Sequence, residues 1–95
     1  MNILEIQKKI LPILKEYGVK RAAIFGSVSR GDNKPESDID IMISLGKPIG
    51  MFAYMSLIRE MDNKLGRIVD LVTENSINKF VRPYIQPDLK IIYER

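Results

Sequence analysis

The chain has 95 residues, is 45% hydrophobic and 28% charged, and carries a net charge of +3 from 15 basic and 12 acidic residues. This length suits one domain over residues 1–95, and the composition excludes disordered, collagen-like and membrane-spanning classes, since no apolar run reaches the ~18 residues a bilayer requires. With no cysteine and no histidine, disulfides, thiolate or imidazole metal sites and Ser-His-Asp triads are excluded, so chemistry rests on carboxylates, hydroxyls, Lys, Arg and Tyr, and any metal is a hard, oxygen-bound one.

The basic excess is small and scattered, which reads as solvated surface, and no direct nucleic-acid contact is expected. Met1 to Lys15 lacks the basic, apolar, small-residue order of a secretory signal, so a cytoplasmic protein with no membrane association is expected.

Residues 2–17 predict a helix, with Ile3, Ile6, Ile10, Leu14 and Tyr17 at three- and four-residue steps. Pro12 removes one helical hydrogen bond and predicts a kink or a fresh start, and Gly18 is placed to stop the helix. Residues 19–25 predict a strand. Gly26 to Gly31 predicts a turn with room for a short helix, and Asp32 to Ser37 a loop. Over residues 38–44, Ile39, Ile41 and Ile43 alternate with Asp38, Asp40, Met42 and Ser44, the pattern of a half-buried strand. Residues 51–65 return to helical spacing, with Met51, Met55, Ile58, Met61 and Leu65 as the expected core stripe and Gly66 as the stop.

Arg67 to Thr73 predicts a strand apolar on both faces and hence central in the sheet. Residues 75–81 predict a short helix capped by Asn75, Pro83 and Pro87 bound an irregular stretch, and residues 89–93 a last strand. The expected fold is α+β: a small mixed sheet of about four strands with helices mainly on one face.

Three features carry the chemistry. Gly26-Ser27 leaves an apolar strand, where glycine permits a tight exit and the next amides can face an anion, although such turns are common for purely structural reasons. Asp38 and Asp40 sit at i and i+2 on a strand and so point to one side. Like charges that close raise each other's pKa and are stabilised by a bridging cation such as Mg²⁺. Asp70 interrupts the apolar run Ile68 to Val72. A buried carboxylate there needs either an ion pair, with Arg67 or Lys64, or a place in the same acidic site. Lys34 and Arg67 are lesser candidates for phosphate contact, with solvated surface charge the simpler account of each.

The stretch Phe25 to Asp32, then Ser37-Asp38-Ile39-Asp40 and Val69-Asp70-Leu71-Val72, resembles the minimal nucleotidyltransferase (MNT) family of the DNA polymerase β-like nucleotidyltransferase superfamily, antitoxins of HEPN toxins. The resemblance covers about the whole chain and departs from the common pattern at Ser29, where alanine is usual. It implies the polymerase β-like palm fold and a metal-dependent transfer of AMP from ATP to a hydroxyl, tyrosine foremost, of a cognate HEPN toxin. It implies that Asp38, Asp40 and Asp70 hold two Mg²⁺ ions (or Mn²⁺) and that Asp70 helps deprotonate or position the acceptor. By the same resemblance Gly26, Ser27 and Arg30 meet the triphosphate.

Two other readings stand beside it. The chain could neutralise a toxin by covering it, with the acids idle, or it could be a homodimeric transferase acting on a small molecule.

Overall fold

The structure is a computed structural model that describes residues 2–31, 38–76, 83 and 86–95. Helix α1 (Ile3–Glu16) leads into strand β1 (Val19–Phe25), the short helix α2 (Gly26–Arg30) and strand β2 (Ile39–Leu45). Helix α3 (Met51–Leu65), strand β3 (Val69–Thr73), two 3-10 turns (Glu74–Ser76 and Gln86–Asp88) and strand β4 (Lys90–Glu94) follow among the described residues. The expected loop at 32–37 and most of the expected helix at 75–81 lie outside the described residues. So does Lys34.

The four strands form one mixed sheet in the order β3-β2-β1-β4. β1 pairs antiparallel with β2 and β4, and β2 pairs parallel with β3. This is the small α+β architecture that the element order implies.

Alternation sorts the strand residues into two faces. Ile39, Ile41 and Ile43, with Ala22 and Ile24 of β1, are fully buried. They form one cluster with Ile6, Ile10 and Leu14 of α1 and Leu57, Met61 and Leu65 of α3. Each of the isoleucine, leucine and methionine side chains contributes about 1.5–3 kcal/mol by leaving water. The opposite face carries Phe25, Asp40 and Asp70, which are neighbours in register. There Arg21 lies 3.1 Å from Glu94 and 3.6 Å from Glu74, a half-exposed bridge between β4 and the turn after β3.

α1 begins with the Asn2 side chain accepting from the Glu5 amide at 2.8 Å, and Gly18, at φ +69°, follows its end. The helix runs unbroken through Pro12. Pro12 is exposed, so the carbonyl it leaves unpaired faces water, and no fresh start is needed.

Two expectations are corrected. Met51 and Met55 are 77% and 49% exposed, because the buried side of α3 runs through Leu57, Met61 and Leu65 with Tyr54 and Ile58 beside them. The N-terminal part of the helix therefore turns Met51 and Met55 outward. β3 is an edge strand, not a central one. Its apolar run packs inward through Val69 and Leu71, while Ile68 is 66% exposed. Among the described residues no helix is long and apolar enough to cross a membrane.

Candidate active site

Asp40 lies near the start of β2, paired with Phe25 on one side and Asp70 on the other. In a parallel pair, residues in register project to the same face, so the two carboxylates meet across the strands. Asp38 precedes β2 by one residue and is exposed. The strand's alternation places it on the Asp40 side. Asp70 is exposed as well, which corrects the expectation of a buried acid held by an ion pair or by a place in the acidic site: the edge position of β3 leaves it open to water.

Asp40 is half-buried, and its pKa is pushed up from 3.8 to about 6. Burial is the largest cause. The charge of Asp70, a hydrogen bond with Asp70 and the charge of Asp38 add to it, while the Arg30 guanidinium pulls the other way. At neutral pH the group is therefore ionised against resistance, and a positive partner relieves it.

Gly26 ends β1 and opens α2 at φ +74°. A Cβ there would run into the Asp40 carboxylate, with Cγ 3.1 Å away. The glycine thus allows the backbone of the turn to lie directly against the acid. Ser27 is the next residue of α2. Further along, Ser29 is buried and its hydroxyl donates to the backbone carbonyl of Asp88. The Arg30 guanidinium donates to the Asp88 carboxylate at 3.0 Å.

Spacing singles out Gly26, Ser27, Asp38 and Asp40, and its apolar surroundings single out Asp70; the fold brings Gly26, Asp40 and Asp70 together around one point, with Arg30 near enough for its charge to reach Asp40. Arg67, by contrast, is half-buried just ahead of β3. Sequence reasoning missed Asp88, which lies 58 residues from Arg30 and carries no local signal. It also missed Tyr54, whose hydroxyl donates to the Leu71 carbonyl at 3.0 Å. Burial and the charge of Asp70 raise the Tyr54 pKa.

The donor chemistry fits a hard cation. Carboxylate oxygens that oppose each other's ionisation are ligands of the kind Mg²⁺ takes. Among the described residues, however, no three acidic side chains already stand as a closed set of ligands.

The model of the nucleotidyltransferase domain family matches residues 7–94. A Methanocaldococcus jannaschii protein, provisionally named a protein adenylyltransferase, is 45% identical over 85 residues, 90% of this chain and 91% of its own. A crystal structure of a toxin-antitoxin with AMP-PNP matches with a TM-score of 0.80 at 24% identity, covering 94% of this chain and 73% of that one. A tri-AMPylated Shewanella oneidensis HEPN toxin in complex with MNT antitoxin gives 0.74 at 21% identity, covering 97% and 72%. At such identities the two structures speak for the fold alone. With the family model spanning nearly the whole chain, and a relative of its own size nearly half identical to it, this chain belongs to the nucleotidyltransferase domain family and is an enzyme of the nucleotidyltransferase type.

Proposed function

We propose that residues 1–95 act as one domain that transfers AMP from ATP to a hydroxyl, a tyrosine foremost, on a HEPN toxin partner in the cytoplasm, and so act as its antitoxin. The observation that carries this reading is the register pairing of Asp40 with Asp70, with Gly26 pressed against the Asp40 carboxylate. It is supported by the name of the M. jannaschii relative and by the toxin complexes that share the fold.

In this reading Asp38, Asp40 and Asp70 hold Mg²⁺, which supplies charge neutralisation at the phosphates and a more acidic acceptor hydroxyl. Asp70, exposed where Asp40 is half-buried, orients the acceptor hydroxyl and takes its proton. The hydroxyl oxygen bonds to the α-phosphorus, the bond from that phosphorus to the pyrophosphate oxygen breaks, and pyrophosphate leaves. Backbone at Gly26 and Ser27, together with the Arg30 guanidinium, offsets the charge that builds on the leaving group.

The test is a mixture of this chain, its toxin, ATP and Mg²⁺, followed by mass spectrometry for added AMP on the toxin. Asp70→Asn should leave ATP binding and complex formation nearly intact and slow transfer by about 10²–10⁴-fold, the usual worth of a positioned base. Full neutralisation by that variant in cells would instead establish the covering protein.

A further inference from the structure

α2 is only five residues long, too short to hold its place by helical hydrogen bonds alone. It is held instead from the far end of the chain. Beyond its bulge, β4 pairs with β1 so that Ile24 faces Lys90. The turn Gln86–Asp88 that feeds β4 is thereby delivered to the end of β1, where α2 begins. Asp88 then makes two contacts with α2: its carbonyl accepts from the Ser29 hydroxyl and its carboxylate from the Arg30 guanidinium. The Arg30 side chain remains 49% exposed and that of Asp88 27%, so the ion pair is reachable from solvent.

We propose that Asp88 is a positioning residue for the nucleotide: it clamps α2 and holds the Arg30 guanidinium where it meets the triphosphate. The proposal rests on the reading above, in which Arg30 is a phosphate contact. Arginine presents a rigid planar fork of donors, so fixing one edge orients the other. An arginine held less firmly must be ordered more by each nucleotide that binds, at a cost in affinity.

The test is titration of ATP with Mg²⁺ into four full-length proteins: wild type, Asp88→Asn, Arg30→Ala and the double variant. Asp88→Asn keeps the backbone carbonyl that Ser29 uses and removes only the charge. It should weaken ATP binding about three- to tenfold and raise KM for ATP with kcat little changed. In the Arg30→Ala background it should cost nothing further. Asp88→Glu should recover part of the loss and replaces Asp88→Asn in the same comparison if the latter fails to fold.

Losses that multiply in the double variant would overturn the proposal, since Asp88 would then act without Arg30. So would unchanged ATP affinity in Asp88→Asn beside a weakened Arg30→Ala. If Arg30→Ala itself binds ATP as wild type does, Asp88 has nothing to position, and the proposal fails while the acidic site stands. A wild-type chain that binds no ATP would remove the transferase reading and this proposal together.

Discussion

Gly26 and Asp40 occupy a space that admits no methyl group. Gly26→Ala would set a Cβ onto the Asp40 carboxylate and leave an L-residue at φ +74°. The left-handed backbone alone costs about 1–2 kcal/mol, and displacing the acid adds to it. We expect a loss of about 2–3 kcal/mol in urea unfolding, with ATP binding lost alongside.

Asp40 itself is a source of instability in the absence of a cation. Its folded pKa of about 6 lies above the unfolded 3.8. The native state therefore holds this proton more tightly than the unfolded chain does. The resulting stability is fully present below pH 3.8 and is lost as pH rises through 6. Asp40→Asn removes that loss. In metal-free buffer at pH 7 it should be more stable than wild type by something on the order of 1 kcal/mol, allowing for solvent screening. Thermal melts between pH 4 and 7 should show a flatter profile for the variant. Added Mg²⁺ should stabilise wild type more than the variant, and equal pH profiles would show that the carboxylate is not strained.

Strand β3 shows how an edge is made safe. In its parallel pairing, Asp70 turns its backbone groups toward β2 while Val69 and Leu71 turn theirs outward. The Val69 amide donates to the Asp62 carboxylate at 2.8 Å, and the Leu71 carbonyl accepts from Tyr54, both partners being residues of α3. On the other edge the Ile92 carbonyl of β4 accepts from Gln7 of α1 at 2.6 Å. Helix side chains thus occupy backbone groups that would otherwise invite another strand. Asp62→Ala should cost about 1–2 kcal/mol, the usual price of orphaning a half-buried amide. It should also speed hydrogen exchange at Val69 more than at core amides of β1. The two-faced apolar run of residues 67–73 suggested a central strand because periodicity reports burial. It does not report which element does the burying, and here α3 and the sheet share that task.

Strands, helices and the acid spacing were legible because they are local: alternation around Ile39 to Ile43, three- and four-residue steps in α1, a glycine after each long helix. The phase of α3 was not, since Met51 and Met55 match the helical period as well as Leu57 does, and only the position of the sheet beneath decides between them. Nor was the exposure of Asp70, which follows from strand order, or the contact of Asp88 with α2, which follows from the pairing of β4 with β1. Tertiary arrangement, absent from any window of sequence, supplied each of these.

The parallel register of β2 and β3 has a kinetic consequence. A slip of one residue would set Asp70 beside Ile39 or Ile41 and turn its carboxylate into the core. The two strands are joined through all of α3, so their pairing waits on closure of a long crossover. Asp40 and Asp70 repel each other only once that closure is complete and correct. Their mutual repulsion is then felt only in chains whose β2 and β3 have paired. Recovery of ATP binding during refolding would accordingly count only molecules in which β2 and β3 have found the right alignment.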